Sequence, residues 1–206
     1  MERSGTWAVV GGVVLGLGVI ATVALVTLNQ RPGDFGCGGS AVGGSLGGPF
    51  TLVDETGATV TDRDVITAPT VVYFGYTFCP DVCPMDSQRN AFALEDLEDQ
   101  GIIANALFIT IDPARDTPEV VAAFTDSFHE RMTGLTGSDE QVAEAARAYR
   151  VFYSRDDSGD GEFYLMNHST FSYLVTPKSG FVDVFSREVS PEDMAGRIAC
   201  FVEAGA

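Results

Sequence analysis

The sequence predicts an α/β chain: a three-layer sandwich around a mixed sheet with added hairpins, preceded by one N-terminal transmembrane helix. Two β-branched and aromatic runs, Val71–Tyr76 and Ala106–Ile111, alternate with helical segments, as parallel strands joined by crossovers do. In the second half, turn signals join short apolar runs into antiparallel hairpins. Ahead of both, Trp7–Leu28 runs for twenty-two residues without a charge, close to the ~20 that cross a ~30 Å hydrocarbon core as a helix.

The apolar run continues to Asn29 and Arg31 without a clear small-residue cleavage site, so residues 1–31 read as an uncleaved anchor. Residues 32–49 hold eight glycines among eighteen positions and read as a tether that buries too little to order itself. The folded domain is expected over residues 50–206. Phe50–Val53 and Ala58–Val60 flank Asp54-Glu55-Thr56-Gly57, a hairpin signature with glycine where positive φ is needed. Val71–Tyr76 is a buried strand that ends at a cysteine loop, and Pro84 opens a helix running to about Gln100. After the strand Ala106–Ile111, Thr117-Pro118-Glu119 starts a helix carrying Val120, Val121, Phe124 and Phe128. Ser138 and Gln141 form a capping box for the next helix, through Tyr149. Val151–Ser154 and Phe163–Met166 flank an acidic turn that lacks the spaced ligands of a calcium loop. Phe171–Thr176 and Phe181–Phe185 form a second hairpin, and Ser190-Pro191 caps a closing helix to Glu203.

Composition narrows the function. The 206 residues carry 12 Lys+Arg against 29 Asp+Glu, a formal charge of −17, and Lys178 is the sole lysine. Such a surface cannot neutralise a phosphate backbone, which excludes nucleic acid as a partner. Cysteine usage suits an oxidising compartment such as the periplasm. Cys37 and Cys200 lie far apart in sequence; a disulfide between them would fasten the tether to the domain, and inert single thiols are the alternative.

The chemistry gathers at Phe78-Cys79-Pro80-Asp81-Val82-Cys83-Pro84-Met85, at the carboxyl end of a parallel strand, where ligands of such sheets collect. Pro80 and Pro84 push the cysteines before them toward extended backbone. Cys83 is then expected at the helix N-cap, where the helix dipole favours thiolate. Two thiolates on a short arc can clamp a soft cation. The chain offers two histidines as a third ligand. His129, at the polar end of a helix, reads as solvated surface. His168, in Met166-Asn167-His168-Ser169-Thr170 before the hairpin strand, is the better candidate; a buried, hydrogen-bonded core histidine is its ordinary reading. A Cys79, Cys83, His168 set suits Cu(I), with Cu(II) and zinc possible given an added ligand. Met85 and Met166 could lend a thioether, although core filling is the commoner use of Met.

Tyr73–Pro84, Ile111–Glu119 and His168 before Phe171–Val175 together resemble the Sco/SenC family of copper proteins, over about residues 50–201. The resemblance implies a membrane-tethered, thioredoxin-like domain facing the periplasm, or the mitochondrial intermembrane space if the source is eukaryotic. The anchor would then be a single pass through the bacterial or mitochondrial inner membrane. It further implies one copper held by Cys79, Cys83 and His168, and a part in assembling the binuclear copper centre of cytochrome c oxidase. The implied partners are the copper-bearing oxidase subunit and a thiol reductant or another copper chaperone. The pair Cys37 and Cys200 departs from the family pattern.

Three functions follow: a copper chaperone; a thiol–disulfide oxidoreductase in which Cys79 and Cys83 cycle, reducing the oxidase copper-site cysteines; and a redox or copper sensor. A peroxidase would need a Thr-x-x-Cys context, whereas Thr77 stands two residues before Cys79. Asp112 and Arg115 read as a strand end and capped helix start that could also orient the cysteine loop or meet a partner.

Overall fold

The computed structural model describes residues 36–38, 46–156 and 163–206. The expected anchor, residues 1–31, lies outside them, as does most of the acidic turn. Among the described residues no helix is long and apolar enough to cross a membrane.

The described residues form nine strands and five helices, in order: β1 Thr51–Asp54, β2 Thr59–Thr61, α1 Asp62–Val65, β3 Thr70–Gly75, α2 Val82–Asp99, β4 Asn105–Thr110, α3 Pro118–Thr125, β5 Met132–Thr136, α4 Asp139–Ala148, β6 Tyr153–Asp156, β7 Leu165–His168, β8 Ser172–Thr176, β9 Gly180–Phe185 and α5 Pro191–Glu203. Seven strands form one mixed sheet in the order β2-β1-β5-β4-β3-β8-β9. β3, β4 and β5 are parallel, while β1, β8 and β9 join antiparallel. All six residues of β3 are buried, as a central strand covered on both faces requires.

The layers follow from side-chain alternation. Val71, Ala106 and Leu174 point to one face and pack with Leu94, Leu97, Met194 and Ile198 of α2 and α5. Val72, Phe74, Leu107, Ile109 and Leu135 meet Val142, Ala145 and Tyr149 on the other face, beside α4. The expected three-layer sandwich is therefore present. The Ser138 capping box is also present: its hydroxyl accepts from the Gln141 amide while the Gln141 side chain accepts from Ser138 N–H.

The strand β5 has no counterpart in the sequence reading. Its five residues, Met-Thr-Gly-Leu-Thr, are short, part polar and interrupted by glycine, which masks the periodic signal. Gly134 is there for a packing reason: a Cβ would stand 2.7 Å from Val121 Cβ, so α3 can approach the sheet only where the side chain is missing. α2 also begins two residues earlier than expected, with Asp81 as N-cap. Cys83 is thus a helical residue and not the cap; the first turn absorbs Pro84 because its N–H would have no intrahelical partner there.

β6 and β7 pair only with each other and stand apart from the main sheet. They lie two residues later than expected, so His168 is the last residue of β7. Cys37 and Cys200 form a disulfide with Cα atoms 5.7 Å apart, closing 163 residues of chain. Gly47 lies against Tyr149 and Phe181, so part of the expected tether is seated on the domain.

Candidate metal centre

The loops after β3 and β4 leave the sheet at the same end, because the two strands are parallel and in register, with Gly75 opposite Thr110. The first carries Cys79 and leads into α2 with Cys83; the second carries Asp112, Arg115 and Asp116. Asp116, fully buried, joins them. Its carboxylate accepts from Thr77 N–H (3.0 Å), the Thr77 hydroxyl (2.6 Å) and the Thr110 hydroxyl (2.6 Å). Burial pushes its pKa up against the pull of those hydrogen bonds. The cysteine loop is therefore held two residues before Cys79.

Cys79 and Cys83 are both free thiols, the first half-buried and the second buried. The sulfur of Cys79 accepts the Cys83 backbone N–H at 3.3 Å, taking up one of the open amides of the first helical turn. The helix N-terminus thus acts on Cys79 and not, as the sequence suggests, on Cys83. The Cys83 thiol holds the Cys79 pKa down to about 3, against burial and with help from His168 and the backbone amides of Cys83 and Asp81. Cys83 moves the other way: the adjacent Cys79 thiolate and burial both push its thiol up. The two shifts run in opposite directions, so Cys79 is the sulfur favoured as thiolate.

His168 completes the group. Its Nε2 is 3.4 Å from Cys83 Sγ, and ligand atoms of Cys79, Cys83 and His168 all lie within 4.8 Å of one another. The Nδ1 is 2.9 Å from Ser169 carbonyl oxygen. A carbonyl only accepts, so Nδ1 carries a proton and Nε2 is the ring atom turned toward the sulfurs. The ring meets Tyr73 and Tyr76 edge-on, centroids 6.2 and 6.0 Å away. Burial raises the Tyr76 pKa to about 12, so this wall stays neutral. No other set of three His, Cys, Asp or Glu ligand atoms converges among the described residues.

The remaining candidates stand elsewhere. His129 is not solvated surface, as its place at a helix end suggests: its side chain is 7% exposed, Nδ1 accepts Arg131 N–H and Nε2 is 3.7 Å from Glu98. Met85 is 58% exposed, and Met166 packs against the sheet core. Asp112 pairs with Arg115 and accepts the Tyr164 hydroxyl at 2.6 Å. Sequence reasoning missed Gly75, where a Cβ would come within 3.1 Å of Cys83 Sγ and 2.9 Å of the Phe108 and Tyr73 rings. A glycine in a buried strand just before a cysteine loop is the signal for it. It also missed Tyr164, which has no signal outside the folded chain.

The arrangement offers two sulfurs and one imidazole nitrogen to a soft, low-coordinate cation, and places a thiolate beside a thiol for exchange chemistry. Residues 39–203 match the family model described as SCO1/SenC. The chain is 46% identical over 205 residues to the protein SenC of Rhodobacter capsulatus, covering 98% of this chain and 92% of that one. It is 38% identical over 156 residues to the mitochondrial SCO1 homologue of Homo sapiens, covering 75% of this chain and 52% of that one. Among solved structures, copper-bound Arabidopsis thaliana ScoI superposes with a TM-score of 0.71 at 34% identity, over 77% of this chain and 99% of that one. Copper-bound yeast Sco1 gives 0.72 at 37% identity, over 78% and 90%. These likenesses share the thioredoxin-like mixed sheet described above, and the chain belongs to the SCO1/SenC family.

Proposed function

We propose that this chain is a membrane-anchored copper chaperone that binds one copper through Cys79, Cys83 and His168 and helps assemble the binuclear copper centre of cytochrome c oxidase. The observation that carries the proposal is the convergence of the three ligand atoms within 4.8 Å, with the imidazole Nε2 directed at the sulfurs. Copper is the cargo. The donor set suits it: sulfur is a soft ligand, imidazole suits both copper oxidation states, and a three-ligand site leaves room for a recipient's ligand to enter. The low pKa of Cys79 supplies one thiolate before metal arrives, and the second proton leaves Cys83 as metal binds. Two solved relatives above carry copper.

Residues 1–31 anchor the protein in the inner membrane, residues 32–49 tether it and residues 50–206 carry the site, facing the periplasm or intermembrane space. The partners are the copper-bearing oxidase subunit and a thiol reductant or second copper chaperone. The −17 chain favours a less acidic or basic docking face.

The depressed Cys79 pKa also favours a second reading, a thiol–disulfide oxidoreductase for the oxidase cysteines. The Cys79 thiolate would attack a partner disulfide and release one partner thiolate. Deprotonated Cys83 would then attack the mixed disulfide, leaving Cys79–Cys83 oxidised and the partner as a dithiol.

Anaerobic copper titration of the chain, with Cys79 and Cys83 reduced, separates the two. One copper per chain, lost or weakened in Cys79→Ser, Cys83→Ser and His168→Ala, supports the chaperone. Equal binding by all four proteins overturns it. Unchanged reductase activity in His168→Ala marks exchange that needs no metal site.

A further inference from the structure

The hairpin that carries His168 belongs to a separate two-stranded sheet, and its strand pairing reaches the main sheet only through the next strand, where Ser172 pairs with Tyr73. One side chain reaches both the cysteine loop and the arm that leads to His168. The Arg115 guanidinium carbon stands 4.7 Å from the ring centroid of Phe78, the residue before Cys79, and 3.7 Å from that of Tyr164, the residue before β7. Its Nη1 donates to the Tyr164 carbonyl at 2.9 Å, and its Nε pairs with Asp112. Asp112 in turn accepts the Tyr164 hydroxyl at 2.6 Å, so Tyr164 is held at its backbone, its ring face and its phenol. The Phe78 and Phe163 rings meet at 6.4 Å alongside, yet both are largely exposed, 48% and 68%, and form a weak seam alone.

We infer that Arg115 is a positioning residue that clamps the Phe78–Cys79 loop to the Tyr164–His168 arm and so sets the sulfur-to-imidazole separation. The inference rests on the copper-site reading above but concerns a residue that touches no ligand atom. A planar guanidinium can stack on aromatic faces and hydrogen-bond in its own plane at once, whereas an ammonium cannot. Without it, the loop keeps its ties to Asp116 and the arm keeps its own strand pairing and the Tyr164–Asp112 hydrogen bond, but the cation stacked between Phe78 and Tyr164 is lost.

The test uses the full chain, with the Arg115→Ala, Arg115→Lys and His168→Ala variants and the Arg115→Ala/His168→Ala double variant. Copper affinity is measured by competition, and Cu(II)–thiolate absorption with nitrogen coupling by electron paramagnetic resonance. The expected result is a loss of affinity of about tenfold or more in Arg115→Ala. Its spectrum should move toward that of His168→Ala, Lys should not restore the parent, and no further loss should occur in the double variant. A parent-like spectrum and affinity in Arg115→Ala, full rescue by Lys, or an additional loss in the double variant would each overturn the clamp. If Arg115→Ala loses its cooperative unfolding transition, Arg115→Met, which keeps the stem without the donors, takes its place under the same criteria. Amide hydrogen exchange of metal-free protein is the independent readout: faster exchange over residues 164–168 with β3 and β4 unchanged supports the clamp, and no change refutes it. A parent that binds no copper sinks the copper reading, while the exchange result still decides the clamp.

Discussion

The imidazole Nε2 of His168 lies 3.4 Å from the sulfur of Cys83, eighty-five positions earlier in the chain. Around this contact the protein is asymmetric: Cys79 faces open helix amides and is ionised, and Cys83 is sealed among Tyr73, Gly75 and the imidazole. That asymmetry has consequences for pH, packing and stability.

With the pKa of Cys79 near 3, metal-free protein reduced at Cys79 and Cys83 should show one thiolate by ultraviolet absorbance throughout about pH 5 to 8. Cys79→Ser should abolish it. The linkage sign is that of a depressed folded pKa. Cys79 contributes stability that is complete above the ordinary thiol range of ~8.5 and is lost as pH falls toward its folded value. Relative to Cys79→Ser, the parent should therefore lose stability from about pH 8 downward, measured by urea denaturation across a pH series.

Gly75→Ala would set a methyl group 2.9 Å from the Phe108 and Tyr73 rings and 3.1 Å from Cys83 Sγ. Overpacking of a closed core costs about 1–3 kcal/mol. The expected outcome is a lower urea midpoint with an unchanged slope, together with weaker copper binding because Cys83 is displaced.

Asp116→Asn keeps the shape but replaces one acceptor oxygen with an NH2 facing Thr77 and Thr110. A buried donor set left partly unsatisfied costs about 1–3 kcal/mol. Reduced stability and faster amide exchange at Thr77 are expected, with Thr77 exchange the more specific measurement.

Removing the Cys37–Cys200 bond by Cys200→Ser opens a loop of 163 residues. A loss of about 2–4 kcal/mol is expected on denaturation of the otherwise identical protein. Copper stoichiometry should stay at one, since neither residue belongs to the converging ligand group.

Much of the fold was legible where the signal is local. β3 is a continuous apolar run, the Ser138 box is four residues long, and Pro191 after Ser190 marks α5. β5 was not legible, because Gly134 makes sense only once Val121 of α3 is packed on it. The start of α2 was misjudged for a similar reason: the rule for a residue before proline describes an isolated chain, and Cys83 in the helical turn is held by the Cys79 sulfur. His129 looked exposed from its helix-end sequence, yet Glu98 and the Arg131 amide enclose it.

The alternation of strands and helices, the cysteine loop at a strand's carboxyl end and the donor types on offer can all be read along the chain. Side-chain periodicity and donor chemistry are properties of neighbouring residues. Folding alone sets which cysteine is favoured as thiolate, how close His168 comes to the sulfurs, that Cys37 meets Cys200, and that Arg115 touches both Phe78 and Tyr164. Each depends on groups brought together across long stretches of chain, and contact energies of that kind exist only after the sheet has closed.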